Sequence, residues 1–183
     1  EIVVRGAKNA VAKEMVAALL TKESCLLKNV SDVQDTEIVA SMIRAMGGEV
    51  LRQENGTLEI KSANLHAVHY RELKHIAGKS RIPILFAGPL LARFGMAQVS
   101  LPGGCVIGPR PIDLHLKGVR ALGADVTLEH GYVIAKAKRL KGARIYLGGA
   151  FGSSVLGTGN ILMAATLAKG RTVIDNAACE PEV

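Results

Sequence analysis

The chain has 183 residues, enough for one good-sized core, with 49% hydrophobic and 21% charged residues and a formal charge of +7. Aromatic residues make up only 3% and tryptophan is absent, so the core must be aliphatic and few rings remain to stack nucleic-acid bases. No apolar run approaches the ~20 residues of a membrane helix, and no signal peptide is expected ahead of the first unit.

The first residue is not methionine, and the chain opens inside sequence patterned for structure, so it reads as a piece of something longer. Lysines and arginines are scattered rather than clustered. Their excess is expected to attract a small, multiply anionic substrate, or to be balanced by an acidic partner domain, rather than to bind nucleic acid. Cys25, Cys105 and Cys179 stand in no metal-like spacing, and an odd, sparse count fits a reducing cytoplasm. Cys25, before Leu26 and Leu27, reads as a buried structural thiol.

In chain order, Gly6-Ala7 leads into Lys8 and Asn9 just before a helix. A lysine there can neutralise a phosphate near the helix N-terminus, or simply be solvated while Asn9 caps the helix. Residues 16–30 read as an Ala/Leu-rich helix feeding a strand. Ile38, Val39, Met42, Ile43 and Met46 form one apolar stripe at helical spacing, stopped by Gly47. A strand over Glu49–Arg52, a turn at Asn55-Gly56 and a return strand over Thr57–Ile60 follow. Arg81 precedes Ile82-Pro83, where proline favours an extended approach. Gly88–Ala92 is a further helix leading into a strand at Val99–Leu101.

Residues 99–111, Val-Ser-Leu-Pro-Gly-Gly-Cys-Val-Ile-Gly-Pro-Arg-Pro, are the most informative stretch. Glycine allows close approach to a ligand, and proline stiffens the loop. A thiol at Cys105 beside a guanidinium at Arg110 has its thiolate favoured, making it a nucleophile or a proton donor of usable pKa. Arg110, pinned between Pro109 and Pro111, offers a planar fork to phosphate or carboxylate. The plainer alternative is a surface turn that contains a cysteine. Asp113 could cap a helix beginning at Leu114. His115 reads as a packing histidine and stands outside the catalytic set. Further on, Ser154–Thr158 is a small-residue loop whose backbone N–H groups could meet an anion.

Repeats organise all of this. Ile43–Val50 returns 76 residues later as Val119–Val126, with Gly123 as the helix stop, His130-Gly131 as the turn and Tyr132–Ala135 as the return strand. Val16–Val30 returns 147 residues later as Met163–Ala177. The prediction is an α/β fold of stacked helix–strand units, helices buried and sheets outside. It forms a single domain over 1–183, with units near 6–77 and 78–150 and a partial one at 151–183. No ligand cluster and no dinucleotide fingerprint is present, so no metal and no organic cofactor is expected.

Gly6–Ala10, Gly88–Gly95, Leu101–Pro111, Arg139–Ala143, Met163–Leu167 and Asn176–Glu182 occur in this order. Together they closely resemble the UDP-N-acetylglucosamine enolpyruvyl transferases of the EPSP synthase-like family. The resemblance runs over essentially the whole chain and corresponds to roughly the first half of such an enzyme, most of one domain of two. It implies transfer of the enolpyruvyl group of phosphoenolpyruvate to the 3-hydroxyl of UDP-N-acetylglucosamine, with release of phosphate. That reaction opens peptidoglycan synthesis and is cytoplasmic, without nucleic-acid or membrane partners.

By resemblance Lys8 contacts phosphoenolpyruvate and Asn9 the sugar nucleotide. Arg81 and Arg110 bind anions; Pro111, Ile112, Asp113 and Leu114 line the uridine pocket; Ser154, Val155 and Gly157 meet the diphosphate. Cys105 serves proton transfer or product release and is the target of the epoxide fosfomycin. Two departures stand out: Leu156 replaces a usual glycine, and residues 148–152 are longer by a few residues. The family's essential aspartate base belongs to a second domain, so the isolated chain is expected to turn over little or not at all. The alternatives are a shikimate-type enolpyruvyl transferase and an anion- or nucleotide-binding module without chemistry.

Overall fold

A computed structural model of the chain describes residues 2, 4, 6–66, 70–78, 80–103, 111–150 and 152–183. Helix α1 (Lys8–Ala17) runs into a 3-10 turn, Ala18–Leu20, and then into β1 (Cys25–Leu27). The helix thus begins well before Val16. Helix α2 (Gln34–Ala45) precedes the hairpin β2 (Glu49–Gln53) and β3 (Thr57–Lys61), and α3 (Tyr70–Ala77) follows. A 3-10 helix at Ile82–Phe86 continues into α4 (Ala87–Phe94), then β4 (Met96–Ser100), α5 (Asp113–Ala121), β5 (Asp125–Glu129) and β6 (Tyr132–Lys136). The last elements are β7 (Arg144–Tyr146), the short hairpin β8 (Gly148–Gly149) with β9 (Gly152–Ser153), α6 (Val155–Thr166) and β10 (Val173–Asp175).

The repetition is architectural. Each three-stranded sheet is antiparallel and places the return strand of its hairpin in the middle, β1-β3-β2 in one and β4-β6-β5 in the other. The helix stops match as well. Gly47 at φ 86° and Gly123 at φ 94° adopt the left-handed backbone that a Cβ disfavours. Their amides return to the Arg44 and Arg120 carbonyls, both at 2.9 Å. The turns differ by one residue. Gln53 pairs with Thr57 across three residues, whereas Glu129 pairs with Tyr132 across His130 and Gly131, both at positive φ. Val126 therefore stands 76 residues beyond Val50, but Ala135 stands 75 beyond Ile60.

Both outer hairpin strands bury a single residue, Val50 in β2 and Val126 in β5, while β3 and β4 show the alternation of a sheet with one face toward water. The helices supply the interior. Fully buried Met15, Leu19, Ile43, Met46, Leu85, Phe86, Leu91 and Leu122 belong to one continuous core that is mostly aliphatic. Helix α6 packs on α4 and α5, and α1 packs on α2. The inside-out arrangement expected from the repeats is the one observed. β10 joins β7 in a parallel pair, held at its edge by the Arg144–Asp175 ion pair at 2.7 Å. Cys25 differs from expectation. It is half-buried in β1 against the core rather than enclosed, because β1 is an edge strand.

Candidate functional site

A cavity of about 850 Å³ opens where the N-terminal ends of α1, α2, α5 and α6 converge. Every helix leaves its first amides without intrahelical acceptors and carries partial positive charge at that end. Here α1, α2 and α5 have no side-chain cap at all, so their leading amides are left for solvent or ligand. Only α6 is capped, by Ser154, whose Oγ accepts from the Gly157 amide at 3.0 Å.

Lys8 and Asn9 open the wall on α1, and one turn further Lys13 joins them. The Lys13 ammonium is nearly buried, donating to the Asn9 carbonyl at 2.9 Å and to Glu182 at 3.1 Å. Its pairing fastens the C-terminal stretch to α1. The Glu182 backbone amide and the Lys13 ammonium hold the Glu182 carboxyl below its ordinary range. On α2, Asp35 accepts from the Ser80 hydroxyl at 2.8 Å. Ser80 in turn accepts from the Ile82 amide through Oγ and from the Gly103 amide through its carbonyl, both at 3.2 Å. Gly103 must be glycine at this junction, since a Cβ would fall 2.1 Å from the Gly78 carbonyl oxygen. The segment carrying Arg81 and the strand end leading toward Cys105 are thus tied to one another.

This leaves an asymmetric charge pattern. Lys13 is matched by Glu182, and Asp35 is occupied by Ser80. Lys8 and Arg81 line the cavity exposed and without an ion-pair partner among the described residues. Asp35 and the exposed Glu180 line the same cavity, so its formal charges balance; what suits an anion is the placing of two cations, Lys8 and Arg81, beside converging helix N-termini.

Of the residues singled out from sequence, Lys8, Asn9, Arg81, Pro111, Ile112, Ser154 and Val155 line this one cavity. Cys105 and Arg110 lie outside the described residues. Asp113, Leu114 and Gly157 are not among the lining residues, and the Gly157 amide is already engaged by Ser154. Three local expectations change. Lys8 is the first residue of α1 rather than the one before it, with Ala7 as the N-cap, so Asn9 is no cap either. Arg81 is not extended: at φ −83° and ψ −12° it enters the 3-10 helix, where Pro83 fits the first turn because its missing N–H would be unbonded there anyway. Asp113 does not cap α5, whose N-cap is Ile112; it sits inside the first turn, where its charge suits the helix dipole.

Sequence reasoning missed Lys13, Asp35, Ser80, Glu180 and Glu182 on the wall, and it read His115 as a packing residue, which is buried as expected but also lines the cavity. Helical spacing was an available signal for two of them. Lys13 is four residues after Asn9 and shares its face, and His115 is three after Ile112. Among the described residues no group of three or more His, Cys, Asp or Glu side chains could hold a metal ion. Nor is any described helix long and apolar enough to cross a membrane.

Stacked helix–strand units with outward sheets, opening on a cavity at helix N-termini, define an α/β domain of the inside-out class. The family model described as EPSP synthase (3-phosphoshikimate 1-carboxyvinyltransferase) matches residues 1–183, and the chain belongs to that family. A UDP-N-acetylglucosamine 1-carboxyvinyltransferase from Methylacidiphilum infernorum (isolate V4) is 45% identical over 183 residues, which is all of this chain and 42% of that protein. Among solved structures, the enolpyruvyl transferase NikO from Streptomyces tendae superposes with a TM-score of 0.80 at 16% identity, covering 97% of this chain and 41% of that one. An EPSP synthase from Acinetobacter baumannii superposes with a TM-score of 0.77 at 19% identity, covering 99% and 41%. At such identities these two structures speak for the fold. The chain spans about two-fifths of the length of these relatives.

Proposed function

We propose that this chain is one domain of a cytoplasmic enolpyruvyl transferase of peptidoglycan synthesis. Its substrates are phosphoenolpyruvate and UDP-N-acetylglucosamine, and a second domain of the same enzyme completes the site. The observation that carries the reading is the pairing of unmatched Lys8 and Arg81 with the N-terminus of α6 around one cavity. It is supported by a relative of that name matching the chain from end to end. In this reading the α6 end, with Ser154 and Val155, meets the diphosphate. Pro111 to Leu114 lie toward the uridine, Asn9 meets the sugar, and Lys8 and Arg110 hold the phosphate and carboxylate of the three-carbon donor. Addition of the sugar 3-hydroxyl to the donor's C2, with loss of the hydroxyl proton to a base and delivery of a proton to C3, gives a tetrahedral intermediate; loss of a C3 proton together with phosphate then restores the double bond. Cys105 serves proton transfer in that sequence.

Titration calorimetry of the 183-residue chain with UDP-N-acetylglucosamine tests the reading. Saturable binding that weakens with added salt is expected. Failure to bind the sugar nucleotide overturns it. Phosphate release with both substrates should stay far below that of a full-length relative, because so much of the relatives' length lies outside this chain.

A further inference from the structure

His115 and Asn160 form a buried polar pair that none of the assignments above uses. Asn160, fully buried in α6, accepts the Gly88 amide through Oδ1 at 2.8 Å and donates through Nδ2 to the Ile84 carbonyl at 3.0 Å. A backbone amide only donates and a backbone carbonyl only accepts, so the orientation of the Asn160 amide is determined. Its remaining Nδ2 hydrogen meets His115 Nδ1 at 3.0 Å, and that nitrogen must therefore accept. The imidazole proton is then on Nε2. His115 is 5% exposed, yet it lines the cavity. Nδ1 is taken by Asn160, and His115 lines the cavity, so the Nε2 edge is the part of the ring available to it. Nε2 is not among the buried polar atoms left without a partner, so it meets the solvent of the cavity, where the acceptor oxygen of a ligand can replace water.

We infer that His115 is a neutral hydrogen-bond donor to a phosphoryl oxygen of a nucleoside diphosphate held at the N-terminus of α6, with Asn160 as the positioning residue that fixes its tautomer. The choice of acceptor follows from proximity in the fold. Asn160 belongs to the same helix as Ser154 and Val155, which line the cavity beside His115. The donor stays uncharged because burial pushes the imidazole down to about 4, against the upward pull of Asp113 on its own helix. From other elements Lys8, Lys13 and Arg81 face the cavity as cations, and Asp35, Glu180 and Glu182 as carboxylates. This inference rests on the sugar-nucleotide reading above for its ligand, but the tautomer stands on protein geometry alone.

The test uses the 183-residue chain labelled with 15N-histidine, with UDP-N-acetylglucosamine as the probe. His115 should give the Nε2–H pattern from about pH 5.5 to 8, where an ordinary histidine titrates. Added sugar nucleotide should move the Nε2 resonance and leave Nδ1 in place. His115→Ala should weaken binding about tenfold, the scale of one lost hydrogen bond to a charged group. His115→Gln keeps an N–H near the Nε2 position and should stay within about threefold. Asn160→Asp should shift the proton to Nδ1, a signature that loss of packing alone does not produce. An Nδ1–H or charged ring in the unsubstituted chain at pH 7 overturns the tautomer and the inference with it. Binding with an unmoved Nε2 signal overturns the role of His115 alone. Absence of binding by the unsubstituted chain overturns the functional reading and the ligand role together.

Discussion

Arg93, near the end of α4, clasps Ser62 just beyond β3, donating Nη1–H to its hydroxyl at 2.8 Å and Nη2–H to its carbonyl at 3.1 Å. The same guanidinium takes the carbonyls of Leu19 at 2.7 Å and Thr21 at 3.2 Å, and the Ser62 hydroxyl itself donates to Thr21. One side chain of the second repeat therefore satisfies the carbonyls that end the first repeat's opening helix. A cation at a helix C-terminus also suits the dipole there.

Arg93→Ala should accordingly destabilise the chain by about 2–4 kcal/mol, since it strands several acceptors that are partly shielded from water. Arg93→Lys should recover only part, because one ammonium cannot span acceptors spread over a planar fork. A lowered urea midpoint at unchanged slope is the expected result. An alanine variant as stable as the parent would mean that solvent replaces these bonds.

Both hairpins could be read from residues because each is local: alternating strands, a turn dipeptide and a glycine helix stop within about fifteen residues. Arg93 could not, since its partners lie 31 to 74 residues away and nothing around Leu91 and Ala92 marks a clasp. The same holds for His115, whose state is set by Asn160 on a helix 45 residues further on. The wall residues fall between these cases. Lys8 and Arg81 stand in stretches that already suggested anion contact, whereas Asp35 and Ser80 acquire meaning only through their bond to each other.

Two glycines on neighbouring helices should respond oppositely to alanine. At Gly88 a Cβ would lie 2.4 Å from the Asn160 carbonyl oxygen and 2.6 Å from its Oδ1, so α4 and α6 must separate. A loss of about 2–3 kcal/mol is expected, in the range of overpacked cores. At Gly159, inside α6, the nearest atom is Lys13 Cδ at 3.7 Å, so a methyl group fits. There alanine should stabilise by about 0.5–1 kcal/mol through helix propensity. Equal effects of both substitutions on the urea midpoint would contradict this account of the α4–α6 contact.

His115 also sets a pH dependence of stability. Its folded pKa of about 4 lies below the ordinary 6.5, so between these values the unfolded chain binds the proton that the folded chain refuses. Stability is therefore fully present above pH 6.5 and falls as the pH drops toward 4, by about 3 kcal/mol over the whole window. Glu182 adds a loss of the same sign at lower pH, because its depressed carboxyl stabilises the fold only while ionised. His115→Gln should flatten the slope between pH 6.5 and 5 in urea titrations. A parent chain equally stable at both pH values would count against the buried neutral ring.

Lys8→Ala and Arg81→Ala should each weaken UDP-N-acetylglucosamine or phosphoenolpyruvate binding by about tenfold or more, while leaving the urea midpoint within about 0.5 kcal/mol of the parent. The asymmetry follows from their lack of ion-pair partners among the described residues: removing either one strands no carboxylate. Lys13→Ala should behave in the opposite sense. It releases Glu182 from a nearly buried pair and should cost stability first. Calorimetry and urea titration on the same three variants separate the two roles. Lys8 and Arg81 variants that bind as the parent does would remove the cavity's claim to be an anion site.

Gly103 and Pro111, on either side of the stretch that carries Cys105, both line the cavity. Within the proposed function its thiolate attacks an epoxide carbon of fosfomycin, the ring C–O bond breaks, and the resulting alkoxide takes a proton from solvent. Two other thiols serve as internal controls, since Cys179 is exposed and Cys25 half-buried, and neither lines the cavity. Incubation with fosfomycin and UDP-N-acetylglucosamine, followed by peptide mass mapping, should place one adduct on Cys105, and Cys105→Ser should abolish it. A simple alkylating reagent, which no bound anion positions, should mark the exposed Cys179 as well. If fosfomycin marks Cys179 as readily as Cys105, the labelling reports accessibility, and the thiol has no special place in this site.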